Sequence, residues 1–260
     1  MSDVITAILL TAVAGLSTGV GGLIAFFSKK MNTKFLSFTL GISAGVMIYI
    51  SFAELLAKAS NELMQIYGGK MGAIINAVAF FAGIVLVAVV DKLIPDVDTP
   101  ELITKDKGDK VGLMRTGVVT ALALGIHNFP EGMATFVSAL RSPAMALPIV
   151  AAIAIHNIPE GIAVSVPIFY ATGSRKKAFL YSLISGIAEP VGAIIGYLIL
   201  MPFINETVNS IVFAVVAGIM VFISVNELLP AAHEYGEYNL SVAGFVVGML
   251  VMAISLIGFM

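Results

Sequence analysis

The sequence predicts an all-α polytopic membrane protein. Eight transmembrane helices are expected in a three-two-three arrangement, with the two outer sets forming an inverted repeat. Three observations lead there. Of the 260 residues, 59% are hydrophobic and 12% charged, whereas soluble domains have about 45–50% apolar and about 25% charged residues; mean hydropathy is +1.02. Apolar stretches of the roughly 20 residues that cross a bilayer as helix recur along the chain. Segments near the two ends also resemble one another across an odd number of spans.

Taken in order, the spans cover about 3–27, 35–57, 72–94, 115–140, 144–170, 177–201, 208–231 and 239–259. Length defines them rather than period, because lipid-facing and buried faces are both apolar. Together they make one transmembrane domain, 1–260. Residues 95–114, "PDVDTPELITKDKGDKVGLM", form the longest polar segment and are expected to be a cytoplasmic loop between spans 3 and 4. No cationic segment precedes the first apolar run, so no cleavable signal peptide is expected. The absence of cysteine excludes disulfides and thiolate metal ligands. The net charge of −2 offers nothing to nucleic acid, and no such partner is expected.

Lysine and arginine fix the orientation. Loops 1–2, 3–4, 5–6 and 7–8, with the adjoining helix ends, hold eleven of them, from Lys29 and Lys30 to Lys176 and Lys177; the other side holds Lys58, Lys70 and Arg141. Basic loops remain in the cytoplasm. The chain is therefore expected in the plasma (cell inner) membrane with both termini extracellular or periplasmic.

The repeat is read from two alignments. "GVMIYISFAELL" (45–56) matches "GIMVFISVNELL" (218–229) in register. "GLSTGVGGLIA" (15–25) matches "GIAEPVGAIIG" (186–196) more weakly. Spans 1–3 thus resemble spans 6–8. Five spans separate the starts of the two units, so the second enters the membrane from the opposite face, a frequent sign of a transporter.

Spans 4 and 5 carry the chemistry. "HNFPEG" (127–132) recurs as "HNIPEG" (156–161) in the next span. In each copy His and Glu stand at i and i+4 on one helical face, and Asn joins its edge. Pro130 and Pro159 lack an N–H and crowd the carbonyls of Ile126 and Ile155. Such irregular backbone survives in a membrane only when buried in protein or lining a wet cavity. Gly132 and Gly161 permit close helix approach. His127, His156 and Glu189, the last in "AEPVGA", each lie well inside a span, near the bilayer midplane.

Three midplane carboxylates, Glu131, Glu160 and Glu189, cost about 2.5–3.5 kcal/mol each on insertion scales, roughly 8–10 together. That rivals the whole stability of many proteins, about 5–15 kcal/mol. No Lys or Arg in these spans offsets it; protonation or a bound cation would. Neutral imidazole with carboxylate and amide oxygens suits divalent transition metals, and nitrogen and oxygen donors without sulfur suit Zn(II), Fe(II), Mn(II), Co(II) and Cd(II). One ion is expected among His127, Glu131, His156 and Glu160. A second would use Asn128, Asn157 and Glu189 and share the motif glutamates, giving a binuclear centre. The metal is cargo; no catalytic residue and no cofactor is expected. Glu54 and Glu227, related by the repeat, stand at opposite mouths as candidate entrance and exit ligands, and His233 lies just past span 7 near the cytoplasmic exit.

These residues resemble the ZIP (Zrt/Irt-like) family of divalent metal transporters, and within it the bacterial ZupT-type branch. The resemblance covers essentially the whole chain and rests on the paired HNxPEG motifs and "AEPVGA". It implies metal ligation by His127, Asn128, Glu131, His156, Asn157, Glu160 and Glu189, and a pathway carboxylate at Glu227. It also implies a homodimer, inward transport, and a bundle of spans 1, 4, 5 and 6 moving against a scaffold of spans 2, 3, 7 and 8. Many members carry a histidine-rich loop between spans 3 and 4; here that loop has no histidine. Two other readings use the same residues. A metal-selective channel differs only in lacking saturable flux. An intramembrane metalloenzyme fits less well: a zinc protease would have HExxH, and three histidines are few for a desaturase.

Overall fold

The computed structural model describes residues 2–27, 33–92, 110–203, 205–235 and 238–258; within the helices a few side chains, that of His127 among them, lie outside the described residues. The described residues form eight long helical stretches. They are α1 (Ser2–Phe27), α2 (Thr33–Tyr67), α3 (Gly69–Asp91), α4 (Lys110–Arg141), α5 (Pro143–Thr172), α6 (Arg175–Leu200), α7 (206–235) and α8 (Tyr238–Gly258). Among the described residues there is no strand, as lipid requires of a chain that pairs every backbone group within its own segment. All of these helices except α4 pass as long and apolar enough to span a membrane on their described residues. At 1.5 Å per residue, the 32 residues of α4 also exceed the roughly 30 Å hydrocarbon core.

The observed ends correct the expected ones in two places. Span 2 does not stop near residue 57. It continues as helix to Tyr67 and ends only at Gly68, whose φ of 84° favours a residue without Cβ. The added turns are amphipathic, burying Ala59 and Leu63 beside the Glu54–Lys58 pair at 4.0 Å. Span 4 begins at Lys110 rather than 115, so 110–114 of the expected loop is helical. The remainder of that loop, 95–109, lies outside the described residues.

Two bundles form. α1, α4, α5 and α6 pack chiefly on one another, as do α2, α3, α7 and α8; the principal contact between the bundles is α2 on α5, with a smaller one of α4 on α7. Of those seven helices, α5 is the most enclosed over its apolar window (78% buried) and α3 and α8 the least (28% each). The outer faces of α3 and α8 present Val78, Phe81, Val85, Leu250, Ile254 and Ile257, apolar surface that belongs against lipid.

Glycine contacts fix the symmetry. A Cβ on Gly15 would strike the carbonyl of Gly186, and a Cβ on Gly186 that of Gly15. These are repeat mates, so α1 and α6 cross on a pseudo-two-fold axis. Gly21 abuts the carbonyl of Ile158, and its mate Gly192 that of Phe129; Gly161 abuts Thr18, and Gly132 abuts Glu189. The axis therefore also exchanges α4 with α5. In the other bundle Gly83 abuts Val215 and Gly248 abuts Ile42, while Gly45 abuts Phe245 and Gly218 abuts Phe80. Small residues let backbones meet where the hydrophobic effect gives helices no reason to associate.

Two π-helical turns obey the same exchange, Ser51–Leu56 in α2 and Ser224–Leu228 in α7. Ser51 Oγ donates to the carbonyl of Met47 at 2.6 Å and Ser224 Oγ to that of Met220 at 2.7 Å. A hydroxyl bonded back one turn competes with the backbone for that carbonyl, and in both helices the wider spacing begins at that serine. Such π-turns concentrate at functional sites; these two hold Glu54 and Glu227.

Candidate metal centre

The two motifs face each other across α4 and α5, backed by α1 and α6. The helices continue unbroken through Pro130, Pro159 and Pro190. Asn128, Glu131, His156, Asn157, Glu160 and Glu189 are each no more than 1% exposed, so bulk water solvates none of them. The side chain of His127 lies outside the described residues.

Each motif asparagine is anchored by its nitrogen. Asn128 Nδ2 donates to the carbonyl of Ser185 on α6 at 3.2 Å, and Asn157 Nδ2 to that of Ala14 on α1 at 3.0 Å. Ala14 and Ser185 directly precede the repeat mates Gly15 and Gly186, so the axis relates these two bonds as well. Asn157 Nδ2 also donates to Glu189 Oε1. In each amide the donor is spent on the frame and the oxygen remains.

The carboxylates are held from several sides. Glu131 Oε1 on α4 lies 3.3 Å from His156 Nε2 on α5, which joins the two motifs. Ser43 Oγ on α2 reaches Glu160 Oε1 and the carbonyl of His156, each at 3.4 Å. Ser182 Oγ on α6 donates to the carbonyl of Thr18 at 2.6 Å and locks the α1–α6 crossing beside Gly161. Among the described residues, Asn128 Oδ1, Asn157 Oδ1, Glu131 Oε2 and Glu189 Oε2 accept no hydrogen bond. A buried acceptor left so costs about 1–3 kcal/mol. Four such oxygens form a donor set for a hard or borderline cation.

The structure thus brings together Glu131 with His156, Asn157 with Glu189, and both motifs with α1 and α6. Among the described residues it does not gather three His, Asp or Glu side chains closely enough to hold one ion. Glu54 and Glu227 stand apart in their π-turns, both half-buried, and His233 stacks its ring 4.9 Å from that of Tyr238. Sequence reasoning missed Ser43 and the backbone carbonyls of Ala14 and Ser185. A lone serine in an apolar helix gives no signal by period, and carbonyl partners give none by residue type.

Comparison with known proteins identifies the family. A family model described as ZIP zinc transporter matches residues 98–256. The chain is 57% identical over 257 residues to the zinc transporter ZupT of Streptococcus mutans, covering 98% of this chain and 97% of that one. It is 54% identical over 265 residues to the zinc transporter ZupT of Oceanobacillus iheyensis, covering 99% of each, and 52% identical over 279 residues to that of Clostridium perfringens, covering 100% of this chain and 98% of the relative. A family match over more than half the chain, and such identity over nearly its whole length, place it: the chain belongs to the ZIP family of zinc transporters, in its ZupT branch.

Proposed function

We propose that this chain moves Zn(II), together with Fe(II), Mn(II), Co(II) and Cd(II), into the cytoplasm through a binuclear site at the bilayer midplane. The observation that carries the reading is the set of buried oxygens on Asn128, Asn157, Glu131 and Glu189 with no donor among the described residues, framed by amides whose nitrogens are already engaged. Oxygens of this kind suit a cation. One ion is assigned to His127, Glu131, His156 and Glu160, and the neighbouring one to Asn128, Asn157 and Glu189 with the motif glutamates shared. The approach of Glu131 to His156, which brings the two motifs together, supports this assignment.

Glu54 and Glu227 serve as ligands at the two mouths, each on a π-turn whose irregular backbone supports a functional role. Basic loops put both termini outside and the Glu227 end, with His233, at the cytoplasm. The family resemblance supports a homodimer in the cell membrane. The separation into two bundles supports alternating exposure by movement of α1, α4, α5 and α6 against the rest.

The test is uptake of the five metals into proteoliposomes by the wild type and by the double variant His127→Ala/Glu160→Ala. Saturable uptake, lost in the double variant, is expected. Unchanged uptake in that variant rejects the midplane site, and zinc binding without any flux rejects the transport reading.

A further inference from the structure

The side-chain hydrogen bonds from Asn128 to α6, from Asn157 to α1 and α6, and from Ser182 to α1 stay inside one bundle. That of Ser43 does not. Ser43 is fully buried on α2, in the opposite bundle, and its hydroxyl is equally placed for Glu160 Oε1 and for the carbonyl of His156. A hydroxyl has one proton to give, so these two acceptors compete for it. Given to the carboxylate, the proton supports a charge in a medium of low dielectric, where the interaction is stronger than in water. A divalent ion bound through Glu160 Oε1 draws on the electron density of the same oxygen and repels the hydroxyl's proton, although the carboxylate has other lone pairs. Ion and serine therefore compete for Glu160, and a displaced hydroxyl turns to the His156 carbonyl without becoming an orphaned donor.

The repeat shows that this contact is an addition to the frame. In the register that pairs Gly45 with Gly218, the mate of Ser43 is Val216 in α7, which has no proton to offer. Thus the bond exists in one half of the molecule.

We propose that Ser43 is a positioning residue that holds Glu160 from the opposite bundle and competes with the transported ion for it. This rests on the site reading above. The ion is gripped less tightly while α5 lies against Ser43 and more tightly once α5 has moved off, so the serine ties occupancy of the site to the position of the bundle.

The experiment is Zn(II) binding to the purified full chain by calorimetry, with KM and maximal rate of Zn(II) uptake measured in proteoliposomes. Ser43→Ala is expected to tighten binding about three- to tenfold, the range of a modest hydrogen bond when about 1.4 kcal/mol is tenfold. Its KM should fall to match while the maximal rate does not rise. Ser43→Thr, which keeps the hydroxyl, should restore wild-type values, and Val216→Ala should leave them unchanged. Ser43→Val copies the repeat mate and provides a second test in the same direction if the alanine variant does not fold. Unchanged binding in Ser43→Ala overturns the proposal; weakened binding also overturns it and makes Oγ a ligand instead. His156→Ala separates the two levels: if it binds Zn(II) as the wild type does, the site reading itself fails whatever Ser43 does.

Discussion

At Asn128 and Asn157 the two ends of a carboxamide do different work. The nitrogen ties each motif to a carbonyl on a neighbouring helix, which orients the oxygen toward the site and keeps it from rotating away. Glu131 has no such anchor: its Oε1 lies 3.3 Å from His156 Nε2 on the facing helix, and among the described residues neither of its oxygens accepts a hydrogen bond. This ranks the residues. Glu131→Ala or Glu160→Ala removes a group assigned to both ions, and uptake is expected to fall at least about 100-fold, beyond the roughly 10–100-fold typical of supporting residues. Asn128→Ala removes one neutral oxygen and is expected to cost severalfold. Radioisotope uptake checks the order, and Glu131→Ala transporting normally would disprove ligand sharing. The candidate residues were legible because histidine, asparagine and glutamate are costly in an apolar helix and here recur in the same order in adjacent spans. Their fastening was not, because its partners are main-chain carbonyls of α1 and α6, which look alike under every side chain.

At the level of helices, close crossings carry the assembly. Gly132 and Gly161 rest on the carbonyls of Glu189 and Thr18, so a side chain at either position forces α4 off α6 or α5 off α1. Gly132→Val and Gly161→Val are each expected to destabilise the protein by about 1–3 kcal/mol, the usual cost of overpacking. A lowered thermal midpoint in detergent would register it, and the midplane site should lose metal affinity in parallel. Gly173→Val sits at an open turn with φ of 66°; it should strain the turn and leave metal affinity alone. The sequence located the helices to within a few residues but misjudged where α2 ends. Hydropathy falls once the helix leaves the bilayer, whereas its hydrogen bonds continue until a glycine stops them. The π-turns were invisible for a related reason, since each is a change of backbone hydrogen bonding that leaves hydropathy untouched.

Across the whole molecule, the axis through Gly15 and Gly186 relates the principal helix crossings among the described residues to counterparts. The match is incomplete: α2 meets α5 more extensively than α7 meets α4, and α2 meets α3 more extensively than α7 meets α8. Exchange of the halves describes a second conformation in which Val216 approaches Glu131 as Ser43 now approaches Glu160. Because the chain has no cysteine, introduced pairs report cleanly. A bifunctional thiol reagent should link Ser43→Cys/Glu160→Cys in the conformation described and Val216→Cys/Glu131→Cys in the other, and a single preparation should yield both links. Failure of the second pair would show that the exchange is not the motion of transport. The odd spacing of the repeat foretold this symmetry; the place where the two units cross became visible only when the paired glycines were found in contact. A chain folded as a palindrome across the membrane reads alike from either side, so its frame contains no arrow. Residues that break the repeat, Ser43 opposite Val216 and Glu189 opposite Thr18 among them, set rates and affinities on each side, while net flow requires an electrochemical gradient. A vesicle loaded with zinc and placed in metal-free buffer would then be emptied by the same machine that fills it.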